Sequence, residues 1–424
     1  MDLSYFRSLN PHIVIYSQDG LGLGHMRRTS SIVYQFLKVL PGASVLTLSD
    51  SQLGQFFGMA RNHDYIKLPS IVKDGPGAWR AANLPLSFPD VHTMRRELIS
   101  SALLSLLPDI VLVDHMPHGA MGELIPAFEA LKAGGACTKI VLGLRDILDA
   151  PEVIQEHWKS EGAYEALHRY YDQVLVYGMQ DVYDVAQQYQ FPAEIAEKVR
   201  YCGYVCTPTL PRYGAKVRAQ NLLKDQADAK LIVAMAGGGA DAYPMMKTLL
   251  DAFPLIQAER PCVLVLITGP FMPADLRHDL EARARGLAVR VKMSVNDSLS
   301  YMNAADLVVS MAGYNTTMEI LSSGKRAILI PRAGPSAEQR TRAKLFSERG
   351  WVEIIDPDEL EPVTVSERIV ASLERKTDLI PLSEPDLQGV HAAVDNLLTL
   401  LPIEDECKVL KVKLEEESFN GIPF

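Results

Sequence analysis

Several features that define other protein classes are scarce or missing in this chain. Five cysteines among 424 residues are too few for a disulfide framework, and Cys202 and Cys206 have no second Cys or His pair spaced to complete a zinc site. There is no apolar run of about 18 uncharged residues and no signal-peptide pattern. The net charge of -10 excludes a general nucleic-acid binder, because phosphate contacts need a basic surface. We therefore expect a cytoplasmic protein with reduced cysteines.

The apolar residues form short runs between helical stretches, which is typical of an α/β protein with parallel sheets. A chain of 424 residues with 48% apolar residues is enough for two domains, each with its own core. One Gly and two Pro break the pattern at 201–211. We predict an N-terminal domain over 1–205, a C-terminal domain over 206–400 and a tail of unknown role over 401–424. The predicted strands are 12–17, 43–48, 109–114, 139–144 and 173–177, followed by 230–236, 261–268, 288–292, 306–310, 326–331 and 352–355.

The loop 19–28 follows the first predicted strand and contains Gly22, Gly24, His25 and Arg28. Its glycines allow a ligand to approach the backbone, and the helix that follows favours negative charge. The imidazole of His25 could take a proton from an acceptor hydroxyl. The third glycine of a dinucleotide-binding fingerprint is missing, so we expect no dinucleotide cofactor. The structural alternative is a tight turn that caps the helix.

Polar residues also follow two other predicted strands. Asp114 ends the strand 109–114 and His115 follows it, and Arg145 comes after the strand 139–144. Asp114 could hold an imidazole in its useful tautomer, or it could cap the following turn. Arg145 could face a ligand or form a structural ion pair with Asp146.

Three consecutive glycines, Gly237, Gly238 and Gly239, follow the first strand of the second half. Their N–H groups could surround an anion such as a diphosphate. The alternative is a plain flexible turn.

The segment 305–324 contains the pattern of a strand, a glycine turn and a helix start. We predict a phosphate-binding helix start formed by Gly313, Asn315, Thr316 and Thr317, with Glu319 placed to accept hydrogen bonds from a ribose diol. The alternative is that these residues only cap the helix. One strand later, Glu338 and Gln339 begin another helix, and their side chains could bind sugar hydroxyls.

These motifs together resemble the GT-B glycosyltransferases related to the bacterial lipid-intermediate N-acetylglucosaminyltransferase, in a branch of predicted glycosyltransferases. The likeness rests on the residues of 312–319, 330–332 and 338–343, and on the loop around His25. It implies two Rossmann-like domains that face each other across a cleft, with the nucleotide-sugar donor in the C-terminal domain and the acceptor in the N-terminal one.

The resemblance also implies roles for individual residues. His25 matches the proposed catalytic base, and Glu319 matches the carboxylate that binds the ribose. Val295 matches a position where the backbone holds the nucleobase of the donor. The resemblance also implies that the reaction inverts the anomeric carbon of the sugar and uses no bound metal or other cofactor. Met311 and Ala312 replace an Arg and a Ser of the cell-wall enzyme, and Glu338 replaces a Gln, which leaves the donor sugar open.

The acceptor could be a small molecule or be linked to a lipid. For the lipid case, a peripheral membrane contact could form from the apolar residues of 53–59, with Arg61, Arg95 and Arg96 beside them. A buried helix also explains 53–59, and buried apolar helices are far commoner than interfacial ones.

The sequence therefore favours a glycosyltransferase that uses a nucleoside-diphosphate sugar, with a UDP-sugar preferred. Two alternatives stay open: a nucleotide-sugar hydrolase, because Gly22, Gly24, His25 and Arg28 also resemble the loop of such enzymes, and a non-catalytic sugar-nucleotide-binding protein.

Overall fold

The computed structural model describes residues 10–18, 24–51, 60–73, 79–206, 214–221, 229–295, 297–375 and 381–401. As far as these ranges extend, the chain forms two compact units. The first comprises Met1–Asp146, Pro151–Gly203 and Gln388–Phe424, and the second comprises Ile147–Ala150 and Tyr204–Leu387.

The first unit is built on a parallel sheet of seven strands in the order β3-β2-β1-β6-β7-β8-β9. Its strands are β1 (His12–Ser17), β2 (Ser44–Ser49), β3 (His63–Lys67), β6 (Ile110–Asp114), β7 (Lys139–Arg145), β8 (Gln173–Tyr177) and β9 (Val199–Tyr201), and a separate antiparallel hairpin joins β4 (Ile71–Lys73) to β5 (Trp79–Ala81). Its helices are α1 (Gly24–Val39), α2 (Phe88–Leu106), α3 (Ile125–Ala133), α4 (Pro151–Ser160), α5 (Ala163–Tyr170), α6 (Val185–Gln188), α7 (Ala193–Ala196) and α15 (Gly389–Thr399).

The central strands β1 and β6 lie side by side and are almost wholly buried, as expected for strands covered by helices on both faces. Their register pairs Ser17 with Asp114, so both residues lie at the carboxyl edge of the sheet. Ligands of open α/β sheets bind at this edge.

The second unit has a six-stranded parallel sheet in the order β12-β11-β10-β13-β14-β15. Its strands are β10 (Lys230–Met235), β11 (Cys262–Ile267), β12 (Val289–Lys292), β13 (Leu307–Ser310), β14 (Ala327–Leu329) and β15 (Glu353–Ile354). Its helices are α8 (Gly214–Asn221), α9 (Tyr243–Glu259), α10 (Ala274–Arg283), α11 (Ser298–Ala304), α12 (Tyr314–Ser323), α13 (Glu338–Glu348) and α14 (Pro362–Glu374). An apolar core of β10, β11, β13, α9 and α14 holds this unit together.

The predicted α/β architecture is confirmed, and each predicted strand is present to within about three residues at either end. The strands β3, β4, β5 and β9 were not predicted, because they are short or carry polar residues. The structure groups α15 with the first unit, whereas the sequence assigned it to the C-terminal domain; its apolar face packs on α1 and β8. Residues 402–424 of the predicted tail lie outside the described residues.

Arg95 is not the surface charge that the alternative of a peripheral membrane contact would need. Its side chain is fully buried, and its guanidinium donates two hydrogen bonds to Glu123, at 2.7 and 2.6 Å. Tyr16 donates a third hydrogen bond to Glu123, at 2.6 Å. The apolar residues 53–59 lie outside the described residues. Among the helices that are described, none is long and apolar enough to cross a membrane.

Candidate functional site

The first unit brings His25, Asp114 and Arg28 together at the carboxyl edge of its sheet. His25 and Arg28 lie on the first turns of α1, which follows β1, and Asp114 ends the neighbouring strand β6. His25 Nδ1 lies 2.6 Å from Asp114 Oδ2. Arg28 Nη2 donates to both carboxylate oxygens, at 2.7 and 2.8 Å. The sequence placed these residues at one sheet edge, and the structure joins them in one network.

The electrostatics of this network determine the tautomer of His25. Burial disfavours the charged form of Asp114, but Arg28 and His25 outweigh burial and hold the pKa of this carboxyl far below its usual value. Arg28 Nη2 also lies 3.0 Å from His25 Nδ1, but its two hydrogens are donated to the closer carboxylate oxygens of Asp114. Because Asp114 is ionised, the contact of 2.6 Å places a proton on His25 Nδ1. Nε2 on the opposite side of the ring is then the atom with a lone pair.

His115 is the second imidazole of this region, and its ring centre lies 5.4 Å from that of His25. Burial lowers the pKa of His115 well below its usual value, and the charges of Arg145 and His25 lower it further. Among the residues that the structure describes, its buried Nδ1 has no hydrogen-bond partner, and its φ of 79° lies in the left-handed region. His115 therefore stays neutral at a pH where an ordinary imidazole takes up a proton.

The ring of Tyr177, a residue that the sequence did not single out, packs against the guanidinium of Arg28. The guanidinium carbon of Arg28 lies 5.5 Å from the centre of the Tyr177 ring. Tyr177 can occupy this place because Gly143, on the neighbouring strand, has no side chain: a Cβ there would lie 2.2 Å from the tyrosine oxygen. Arg28 is buried, and the charge of Arg145 acts on His115. Neither arginine, although both were predicted to bind the acceptor, lines the cavity beside the histidines.

A cavity of about 1040 Å³ opens within the first unit beside these histidines. Three glutamates line it, Glu129, Glu161 and Glu165. The lining also combines aromatic or apolar side chains with basic ones, including His25, His115, His118, His157, Lys73, Arg169, Trp79, Trp158, Met121 and Tyr170. Of these residues, the sequence identified only His25 and His115, because the others lie on the β4–β5 hairpin, on the loop after β6 and on α4 and α5, far apart in the chain. Gly24 begins α1, and Gly22 lies outside the described residues.

The second unit presents the predicted glycine turn at the carboxyl end of β10. Gly237 and Gly239 have φ values of 60° and 85°, and a Cβ on Gly239 would lie 1.8 Å from the carbonyl oxygen of Thr268. Gly238 accepts a hydrogen bond from the N–H of Phe271, at 2.9 Å. The turn is therefore packed closely against the loop after β11 and is not a flexible connection.

The predicted phosphate-binding helix start is formed by α12, which follows the central strand β13. Its N-cap is Gly313, which has no side chain to satisfy the first N–H groups, and its first turn contains no acidic residue. Thr316 lies near the glycine turn, since a Cβ on Gly237 would be 3.5 Å from its hydroxyl oxygen. Asn315 and Thr316 are partly exposed, whereas Glu319 is buried.

Three predicted donor residues use their side chains within the unit. The hydroxyl of Thr317 donates to the carbonyl of Gly313, at 2.9 Å. The carboxylate of Glu338 lies 2.9 Å from Arg342 Nη2, and Gln339 Oε1 accepts from the N–H of Arg332 at 3.1 Å. The sequence missed these intramolecular partners. Val295 follows β12 and is partly exposed. Its predicted role is a backbone contact and does not depend on its side chain.

Comparison with known proteins relates this chain to glycosyltransferases. Residues 232–396 match the glycosyltransferase family 28 C-terminal domain. The UDP-N-acetylglucosamine--N-acetylmuramyl-(pentapeptide) pyrophosphoryl-undecaprenol N-acetylglucosamine transferase of Alkaliphilus oremlandii is 26% identical over 155 residues, which are 36% of this chain and 42% of that protein. The chain thus matches less than half the length of this relative.

Solved structures resemble the chain over nearly its whole length. MurG of Acinetobacter baumannii superposes with a TM-score of 0.57 at 17% identity, covering 92% of this chain and 99% of MurG. The UDP-GlcNAc 2-epimerase of Methanocaldococcus jannaschii superposes with a TM-score of 0.59 at 10% identity, covering 92% and 99%. At these identities the likeness concerns the fold and not the reaction. The chain therefore has the GT-B fold, and it is related to the family 28 glycosyltransferases through its C-terminal half.

Proposed function

We propose that this protein is an inverting, metal-independent glycosyltransferase. It transfers a sugar from a nucleoside-diphosphate sugar to a hydroxyl or amine of a small-molecule acceptor. The first unit binds the acceptor and supplies the base, and the second unit binds the donor. A UDP-sugar is the favoured donor, because the curated relative is named for UDP-N-acetylglucosamine.

The contact between His25 and Asp114 carries this proposal. His25 lines the cavity, its Nδ1 is held 2.6 Å from an ionised carboxylate, and Nε2 is left to accept a proton. A carboxylate in this position stabilises the imidazolium that forms when the base has taken its proton. Arg28 fixes the carboxylate with two further hydrogen bonds.

The reaction is a single displacement. The acceptor oxygen or nitrogen forms a bond to the anomeric carbon while its proton moves to His25 Nε2. The bond between the anomeric carbon and the β-phosphate oxygen breaks, and its electron pair stays on the departing nucleoside diphosphate. Attack from the side opposite the leaving group inverts the anomeric centre.

Backbone groups provide the stabilisation that a metal would otherwise supply to the diphosphate. The N–H groups at the start of α12 and those of Gly237 and Gly238 lie at the carboxyl edge of the sheet in the second unit, whereas the N–H of Gly239 donates to the carbonyl of Ala236 at 3.2 Å. Such groups stabilise developing negative charge without having to reorganise during the reaction.

The cavity supports an acceptor with both apolar and polar parts. Its volume of about 1040 Å³ suits a molecule of drug-like size. Trp79 and Trp158 offer flat apolar contacts, Lys73 offers positive charge, and Arg169 is paired with Glu129 at 3.0 Å. The relative from Alkaliphilus is named for an undecaprenol-linked acceptor, so a lipid-linked acceptor is the main variant of this proposal.

The test begins with thermal-shift screening of UDP-, dTDP-, GDP- and ADP-sugars, because a bound donor stabilises the folded protein by mass action. The best donor is then incubated with acceptor candidates, with and without EDTA, and the product anomer is determined by NMR. His25→Ala and Asp114→Asn are compared with His168→Ala, a surface histidine of the same unit whose side chain is 62% exposed.

We expect His25→Ala to bind donor normally and to lose about 10²- to 10⁴-fold in turnover, the usual contribution of a general base. Asp114→Asn should also lose turnover, and His168→Ala should behave as the unchanged protein. Full turnover in His25→Ala would overturn the assigned role. Rapid release of free sugar without acceptor would identify a hydrolase instead, and binding without turnover of any donor would identify a sugar-nucleotide-binding protein.

A further inference from the structure

The ion pair between Arg332 and Asp241 lies at the donor end of the second unit and has no part in the mechanism above. Arg332 Nη1 is 3.2 Å from Asp241 Oδ2. Asp241 follows the glycine turn after β10, and Arg332 follows β14. Both side chains are partly exposed, so a ligand from solution can reach them.

The order of the strands shows what this ion pair crosses. β10 and β14 are the two neighbours of β13 in the parallel sheet. Adjacent strands are about 4.8 Å apart, so β10 and β14 are separated by about 10 Å. An ion pair between the loops that follow these two strands must span the loop that follows β13. That loop begins α12, the predicted seat of the diphosphate.

The charges of the loops that follow β10, β13 and β14 favour a role of Arg332 in anion binding. Residues 236–242, 311–313 and 330–337 contain a single basic residue, Arg332, and a single acidic side chain, Asp241. The helix start at Gly313 brings only partial positive charge to a ligand with at least two full negative charges. A guanidinium can bind phosphate oxygens through two parallel N–H groups.

The structure also positions Arg332 for this purpose. Gln339 Oε1 accepts a hydrogen bond from its backbone N–H at 3.1 Å, which fixes the loop at the start of α13. Its Nε is buried and has no hydrogen-bond partner within the described residues. Asp241 occupies only one terminal nitrogen, so the guanidinium can exchange a surface carboxylate for a phosphate.

We propose that Arg332 binds the diphosphate of the donor and stabilises the nucleoside diphosphate as it departs, with Asp241 holding the guanidinium over the start of α12 until the donor arrives. This inference rests on the proposed function. When the bond from the anomeric carbon to the β-phosphate oxygen breaks, the electron pair remains on that oxygen, and Arg332 lies beside the resulting charge.

The test measures binding of the nucleoside diphosphate that best stabilises the unchanged protein, chosen among UDP, dTDP, GDP and ADP, and of its parent nucleoside. The variants are Arg332→Ala, Arg332→Lys and the control Arg283→Ala. Arg283 is an arginine of the same unit whose side chain is 40% exposed, against 27% for Arg332, and it pairs with Asp251 and Asp279 on the helices α9 and α10. Circular dichroism and the Tm without ligand check that each variant is folded.

We expect Arg332→Ala to weaken diphosphate binding by about 10- to 100-fold, the range for loss of a charged hydrogen bond, and to leave nucleoside binding unchanged. Arg332→Lys should keep part of the affinity that Arg332→Ala loses, and Arg283→Ala should bind the diphosphate as tightly as the unchanged protein. Unchanged diphosphate binding in Arg332→Ala would overturn the inference, as would an equal loss for diphosphate and nucleoside. If the unchanged protein binds none of the four diphosphates, the proposed function itself fails.

Discussion

Glu338 and Arg342 lie one turn apart on α13 and form an ion pair of 2.9 Å in which both side chains are buried. Arg342 also donates to the carbonyl of Ala312, at 2.8 Å, and its guanidinium lies 5.5 Å from the ring centre of Tyr314. The pair therefore supports the turn from β13 into α12. A carboxylate at residue 338 thus places a negative charge directly against this buried guanidinium.

Substitution of Glu338 should accordingly destabilise the second unit. We expect Glu338→Ala to lower the free energy of unfolding by about 3–5 kcal/mol, the cost of leaving one member of a buried ion pair without its partner. Glu338→Gln should cost less, because its amide oxygen still accepts a hydrogen bond from Arg342. Urea unfolding of these variants, of Arg342→Met and of the double variant measures the coupling. A stable Glu338→Gln protein with changed sugar selectivity would favour direct contact with the sugar.

The sequence predicted the backbone of the site better than its side-chain partners. Strands such as β6 and β13 are continuous apolar runs, and the residues that follow them must lie at one sheet edge; this is why His25 and Asp114 could be placed together. The pairing of Glu338 with Arg342 is visible as residues four apart on a helix, but only the structure shows that this pair is buried.

Residues that meet through tertiary packing could not be found from spacing. Trp79 and Trp158 line the same cavity although 79 positions separate them in the sequence, and no local pattern links them. Arg95 looked like a surface charge because it occurs next to another arginine, yet the fold buries it on Glu123. The strand β3 was not predicted because it lies at the edge of the sheet and is rich in polar residues, so it lacks the apolar run by which the other strands were recognised.

His115 predicts a specific dependence of stability on pH. Its pKa is lowered in the folded protein, chiefly by burial and then by Arg145 and His25, so below about pH 6.5 the unfolded chain binds a proton that the folded protein does not. Stability therefore falls as the pH drops below this value and is unaffected by this group above it. We expect His115→Asn to reduce the slope of unfolding free energy against pH by up to about 1.4 kcal/mol per pH unit.

Asparagine suits this experiment because it tolerates the left-handed backbone of residue 115. Urea unfolding between pH 5 and 8 gives the slope, and the exposed His168→Asn provides the control, with no change expected. An identical slope in His115→Asn and the unchanged protein would show that His115 titrates alike in the folded and unfolded states.

Alanine substitutions at Gly239 and Gly286 distinguish the cost of a strained backbone from the cost of a steric clash in the second unit. Their φ values are 85° and 80°, so an alanine is equally strained at either position. A Cβ on Gly239 would lie 1.8 Å from the carbonyl oxygen of Thr268, whereas a Cβ on Gly286 meets nothing within 4 Å. We expect Gly286→Ala to cost about 1–2 kcal/mol, the left-handed strain alone, and to bind nucleoside diphosphate normally. Gly239→Ala should be destabilised further and lose this binding, because the turn must move away from the loop after β11. Equal unfolding midpoints and equal affinities in calorimetry would mean that the glycine turn is not required in its observed conformation.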